Sequence, residues 1–210
     1  MAVALLVAAG SGERLGADRP KAFVVLAGKP MLEWSLIAIA DAGIADVVIA
    51  LPPGEEHPLG VAGGVTRSES VRNALAAAPA DAEAIVVHDA ARPLVEPGLF
   101  RRCVAALEHA DAAIAAAPMT DTVKEAGADR VVTQTLDRSR LWAIQTPQAF
   151  RRAALEQALD VADDVLAAAT DDASLVERAG GTVVIVEAPP SNFKITTPHD
   201  LRVAEALLSC

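Results

Sequence analysis

Cysteine is scarce in this chain: 2 among 210 residues, Cys103 and Cys210. That number and spacing exclude a disulfide framework and a cysteine-based metal centre. The histidines offer no substitute. His57, His109 and His199 show no zinc spacing, and His88 sits beside a strand-end aspartate whose side chain points to the opposite face. Positive charge is also short. Lys and Arg total 18 against 28 Asp and Glu, a net charge of −10, which argues against nucleic-acid and anionic-membrane partners. No apolar run reaches the length needed to span a bilayer. After Met1 the chain enters a core-like strand with no basic region or cleavage site, so no signal peptide is expected. A cytoplasmic location is the resulting expectation. Repeats and low-complexity linkers are missing too.

What is present is an apolar, alanine-rich chain, 52% hydrophobic, long enough for one α/β domain over 1–210. Apolar runs alternate with helical patterns. Strands are expected at 3–8, 45–51, 84–88 and 111–117, with helices at 31–42, 66–78 and 97–109. That alternation predicts a parallel sheet covered by helices on both faces. Pro30 ahead of the first helix and Gly43 just past it fit as caps. Residues 52–64, rich in Pro, Gly and charge, read as a loop. Residues 122–125 and 130–135 read as short strands around Gly127-Ala128-Asp129, a hairpin that cannot bury much alone and leans on a second copy of the chain. Beyond it, helices are expected at 148–168 and 172–179 and a strand at 182–187. Thr197, Pro198 and Asp200 fit as N-cap, first helical residue and acidic third residue of a last helix.

The chemistry concentrates in Val3 to Phe23, VALLVAAGSGERLGADRPKAF. A buried strand empties into Ala8-Ala9-Gly10-Ser11-Gly12, followed by Arg14, Pro20 and Lys21. Small residues let a phosphate or base edge approach backbone N–H groups, and two fixed cations suit a polyphosphate. Two common phosphate loops do not fit. No Gly-Lys pair completes a Walker motif, and Leu15 stands where the dinucleotide fingerprint needs glycine. The bland alternative is a strand–turn connection with surface charges. Asp89 closes the strand ending in VHDAARP, at the carboxyl edge where α/β sheets bind ligands. One carboxylate plus substrate phosphates is how Mg²⁺ is commonly held, and a turn-capping Asp is the alternative. Lys194, between Phe193 and Ile195 in an expected short strand, either snorkels out or meets a buried anion. Gly63-Gly64, ahead of Thr66, admits a ligand to a helix N-terminus or serves only the cap. Thr170-Asp171-Asp172 reads as a helix N-cap cluster. Taken singly, Arg67, Arg92, Arg138 and Arg140 are uninformative.

AAGSGERLG with RPK, GGVTRSESV, VHDAARP, DTVKE, QTPQAF, TDDASLVE and NFKITTPHDL follow one another in this order. Together they resemble the 2-C-methyl-D-erythritol 4-phosphate cytidylyltransferases of the non-mevalonate isoprenoid pathway. The resemblance implies a three-layer Rossmann-like nucleotidyltransferase fold, α/β, with a mostly parallel sheet and a protruding β-hairpin arm (117–141). It implies transfer of CMP from CTP to 2-C-methyl-D-erythritol 4-phosphate, with pyrophosphate released. By motif match, Arg14, Lys21 and Lys194 are catalytic, and Asp89 binds Mg²⁺. Ala8, Ala9, Gly10, Ser11, Gly12, Gly64 and Ser70 hold CTP. Arg138, Thr122 and Arg92 position the substrate phosphate, the arm residues serving the other subunit of a homodimer. The 52–62 connection is short for the family, and Val65 replaces a position that is often polar. A ribitol-5-phosphate cytidylyltransferase and a non-catalytic nucleotide-binding module remain the alternatives.

Overall fold

The computed structural model describes residues 1–10, 12, 15, 16 and 19–209. Its framework is a seven-stranded sheet. In chain order its strands are β1 (Ala2–Val7), β4 (Asp46–Leu51), β5 (Gly60–Ala62), β6 (Ala84–Asp89), β7 (Ala112–Pro118), β10 (Trp142–Arg151) and β11 (Val183–Glu187). The spatial order is β11-β7-β10-β6-β1-β4-β5. All neighbours pair in parallel except β10, which runs antiparallel to β6 and β7. The mostly parallel sheet therefore matches the expectation.

Period-two alternation splits the core into two layers. Along β1, Ala4 and Leu6 join one apolar cluster, on the side of α1 (Met31–Asp41) and α3 (Pro97–Ala106). Val3 and Leu5 join the other, with α2 (Arg67–Ala77), α4 (Arg152–Leu159), α5 (Asp163–Ala168) and α6 (Asp172–Arg178). All four of those strand residues are fully buried, so helices cover both faces. A third, smaller cluster joins Leu15, Leu26, Met31 and Ile195 to Ala204 of α7 (Pro198–Leu208). It seats the end of the chain beside a minor ribbon, β2 (Val25–Leu26) with β3 (Lys29–Pro30). Among the described residues no helix is long and apolar enough to cross a membrane.

Three expectations need correction. Gln148–Phe150, read as the start of a helix, are central strand residues facing Val87–Ile85 on one side and Ile114–Ala112 on the other. Ala149 and Phe150 are fully buried there, and that tertiary pairing overrides an alanine-rich helical pattern. The remainder breaks at Asp160–Ala162 into α4 and α5. The 52–64 stretch is not all loop, because β5 adds an edge strand beside β4, Gly60 facing Ile49. A Cβ on Gly60 would stand 2.9 Å from the backbone oxygen of His57 and 2.2 Å from Leu51 Cδ1, so a larger residue there would force a shift. Lys194 lies on no strand: 191–196 has no regular secondary structure.

The hairpin is present as β8 (Lys124–Ala126) and β9 (Val132–Thr135), paired antiparallel outside the main sheet. Every residue of both strands is exposed.

Candidate active site

β1 lies between β4 and β6, so the crossovers leave it in opposite directions and a crevice opens at the carboxyl ends. The register puts Val7 opposite Asp89, which brings the turn after β1 and the last residue of β6 together. A cavity of about 560 Å³ opens there. Ala8, Ala9, Gly10, Gly12 and Lys21 line one side. Gly64 and Ser70 line another, and Asp89 and Lys194 a third. Nine of the residues singled out from the sequence thus share one wall-to-wall space. Ser11 and Arg14 lie outside the described residues.

The turn folds back on itself. Gly12 has φ +78°, and a Cβ there would come within 3.1 Å of the Lys21 backbone nitrogen. Lys21 N–H donates to Gly10 O at 3.3 Å, and Leu15 N–H to Gly12 O at 2.8 Å. A left-handed glycine with no side chain is what allows Lys21 to sit against the turn. Across the cavity, Thr66 caps α2 in a reciprocal capping box with Glu69. Glu69 Oε2 also accepts from Val65 N–H at 2.7 Å, and Ser70 Oγ from Gly64 N–H at 3.0 Å. A Cβ on Gly64 would collide with Glu69 Cβ at 2.2 Å. Gly64 therefore packs against the cap and lines the cavity, whereas Gly63 does not line it.

Asp89 is the most constrained group. Its N–H donates to Thr146 Oγ1 at 3.0 Å, and Thr146 Oγ1 lies 3.0 Å from His88 Nδ1. His88 Nε2 lies 3.3 Å from Arg92 O. These bonds are mutually consistent for a neutral imidazole that donates from Nε2 and accepts at Nδ1. Burial pushes the His88 pKa down to about 3. The carboxylate takes Arg67 Nε on Oδ1 at 3.1 Å and Lys194 Nζ on Oδ2 at 2.8 Å. Burial alone would raise this carboxyl, but the two cations hold it well below the usual carboxylate range. Arg67 reaches further, donating from Nη1 to Asp172 Oδ2 at 2.5 Å. Burial opposes its charge, yet the two carboxylates keep its pKa above the ordinary value.

Sequence reasoning missed Arg67 and Asp172. Arg67 carried no signal of its own, and Asp172 looked like part of a cap. The cap exists one residue earlier: Asp171 accepts from Ser174 N–H at 3.0 Å. Asp172 is fully buried, which raises its pKa against the pull of Arg67.

Three expected residues stand elsewhere. Arg92 does not line the cavity; it is buried and donates to Asn192 O at 2.9 Å and Ile144 O at 3.4 Å. Arg138 and Thr122 lie at the base of the arm and are exposed. Arg138 donates to Thr120 O. As for a metal, no group of three or more His, Cys, Asp or Glu among the described residues is placed to hold one. Among those residues Asp89 is the single carboxylate at the cavity wall, with each oxygen engaged once and a further lone pair free for another bond. That donor fits Mg²⁺ only if substrate phosphates supply the other ligands.

A glycine turn, two lysines and a carboxylate converging at the switch point of a Rossmann-like sheet define a nucleotidyltransferase. The family model described as IspD, 2-C-methyl-D-erythritol 4-phosphate cytidylyltransferase, matches residues 2–210. The chain belongs to that family. It is 46% identical to the 2-C-methyl-D-erythritol 4-phosphate cytidylyltransferase of Parasynechococcus marenigrum (strain WH8102), over 98% of this chain and 96% of that one. The solved structure bearing the same name from Thermus thermophilus superposes with a TM-score of 0.85 at 38% identity, covering 100% of each chain. That of the 4-diphosphocytidyl-2C-methyl-D-erythritolsynthase from Anaerococcus prevotii DSM 20548 gives 0.85 at 28% identity, over 100% and 99%.

Proposed function

We propose that the chain transfers CMP from CTP to 2-C-methyl-D-erythritol 4-phosphate in the non-mevalonate isoprenoid pathway, giving 4-diphosphocytidyl-2-C-methyl-D-erythritol and pyrophosphate. The observation that carries this reading is the meeting of Lys21, Lys194 and Asp89 with the Gly10–Gly12 turn around one cavity. A phosphate oxygen of the acceptor forms a bond to the α-phosphorus of CTP. The bond from that phosphorus to the β-bridging oxygen breaks, and pyrophosphate leaves with the electron pair. The attacking phosphate is already ionised near neutral pH, so no side chain has to remove a proton. The protein's contribution is alignment and charge stabilisation. Lys21 and Arg14 are assigned to the α-phosphate, where negative charge builds. Lys194 is assigned to positioning the acceptor phosphate against it.

Asp89 is assigned to Mg²⁺; its carboxylate stands at the cavity wall with its pKa held below the usual carboxylate range by Arg67 and Lys194, which supports this. When bound there, the ion would neutralise charge on the phosphates and the departing pyrophosphate. The small residues at 8–12, with Gly64 and Ser70, are assigned to cytosine, ribose and phosphates. A homodimer is proposed through the arm. Support comes from a two-stranded hairpin with no core of its own and with Val131 and Val132 60% and 55% exposed. Thr122 and Arg138 would then serve the partner's cavity. A cytoplasmic location is proposed from the substrate, since CTP is made and used there.

Pyrophosphate release from CTP tests the assignment. Methylerythritol phosphate is expected to support turnover, and ribitol 5-phosphate and the acceptor-free control are not. Equal turnover with ribitol 5-phosphate would move the assignment to that acceptor, and CTP binding without turnover would leave a nucleotide-binding module.

A further inference from the structure

Asp89 is held by two cations that are not equivalent. Arg67 is the first residue of α2, whose start is locked by the Thr66–Glu69 capping box. Its guanidinium spans two carboxylates, with Nε on Asp89 Oδ1 and Nη1 on Asp172 Oδ2. Asp172 is fully buried, and its Oδ1 has no hydrogen-bond partner among the described residues. Among those residues Arg67 is thus the sole neutralising partner of a carboxylate that water does not reach, and moving it would strand that charge. Lys194 has no such anchor. Its side chain is 37% exposed, it comes from a segment without regular structure, and among the described residues its ammonium bonds Asp89 Oδ2 alone. A lysine is a point charge on a flexible stem, whereas the arginine fork cannot turn without breaking two bonds.

We propose that Arg67 is a positioning residue: braced on Asp172, it fixes Asp89 through Oδ1, while Lys194 occupies Oδ2 only until a divalent cation and a triphosphate enter. Lys194 then exchanges the carboxylate for phosphate. Its delivery to the reacting phosphates is thereby coupled to release of the oxygen that receives the cation. No proton moves and no bond is made or broken apart from these ion pairs. The geometry also accounts for Asp172, a buried carboxylate beside the site that no step of the reaction uses. The inference rests on the assignment of Asp89 to a divalent cation.

Mn²⁺ binding, read by electron paramagnetic resonance of the free ion, tests it without turnover. The titration is run on the unaltered protein and three variants, with CTP and without acceptor, against a CTP-only reference that subtracts the Mn²⁺ held by free nucleotide, alongside thermal melting. Arg67→Lys keeps the charge but cannot span both carboxylates, and weakens Mn²⁺ binding by about tenfold or more, the usual cost of losing a ligand's supporting partner. Asp172→Asn, nearly isosteric, weakens it in the same direction by a smaller factor. Lys194→Met frees Oδ2 without removing a cation ligand, so Mn²⁺ binding in the presence of CTP is kept or tightens. Loss that tracks only the melting temperature, with unchanged affinity in the folded protein, overturns the positioning role. So does a Lys194→Met variant that loses as much affinity as Arg67→Lys. If Asp172→Asn folds and binds Mn²⁺ like the unaltered protein, the brace is wrong even where Arg67→Lys fails to fold. Failure of the unaltered protein with CTP to bind Mn²⁺ removes the cation from the proposed function, and this inference with it.

Discussion

β6 and the arm are opposite solutions for a short strand. From Ile85 onward β6 is buried, with β1 on one side and β10 on the other. β8 and β9 are exposed along their whole length and, among the described residues, pair only with each other. The difference shows in the polar groups each carries. Asp89, at the end of β6, has a bonded backbone N–H and two paired carboxylate oxygens, so its direction is fixed by three parts of the chain. Arg138, at the foot of the arm, donates to one nearby carbonyl and is exposed. One half of the proposed site is preorganised within a single chain. The other half, Thr122 and Arg138, is exposed and lines no part of that cavity.

The sharpest way to break this contrast is to disable one residue from each half. Lys21→Ala and Arg138→Ala are each expected to lower turnover by about a hundredfold or more, the scale seen when one preorganised charge-stabilising group is lost. If arms are exchanged, mixing the two variants regains about a quarter of the unaltered activity, because half of the dimers are mixed and each has one intact site. No regain on mixing would put the arm on its own chain's cavity and end the proposed division.

A smaller effect probes the buried half alone. The His88 pKa is depressed to about 3 by burial, below its unfolded value. The unfolded chain therefore binds the extra proton first as pH falls. His88 contributes its stability fully above the unfolded value and loses it as pH drops from about 6.5 toward 3, by roughly 1 kcal/mol per pH unit. His88→Gln, which keeps hydrogen-bonding capacity without that titration, should flatten the melting temperature over this window. An unchanged pH profile would mean that water reaches the imidazole. Smallest of all, Val132→Thr on the arm should leave the stability of an isolated chain within about 0.5 kcal/mol, as for surface changes in general. The same substitution should weaken association measured by sedimentation, and an effect confined to chain stability would show the arm packing on its own body.

Much of this was legible beforehand, and the misses have physical causes. Helix starts at Thr66 and Thr197 were readable because a capping box is local, its partners three residues apart. Strand β1 was readable because Val3–Leu6 are buried on both faces of the sheet, which leaves a continuous apolar run. Gln148–Phe150 misled because alanine and phenylalanine suit either state, and only pairing with β6 and β7 decides between them. The edge strand β5 was hidden by glycine, whose presence marks a close backbone approach that sequence cannot display. The resemblance placed Arg92 at the substrate phosphate, yet within this chain its guanidinium is turned inward to the carbonyls of Asn192 and Ile144.

The sequence by itself determined the kind of sheet, the glycine turn at its switch point and the supply of cations, since those follow from periodicity, small side chains and composition over short stretches. The tertiary structure alone decided which cations meet which carboxylate. Arg67 reaches Asp89 across 22 residues and Asp172 across 105, and Lys194 reaches Asp89 across 105. Such pairs depend on strand order and burial, where the low dielectric makes a charge without a partner costly, and no local pattern encodes that choice.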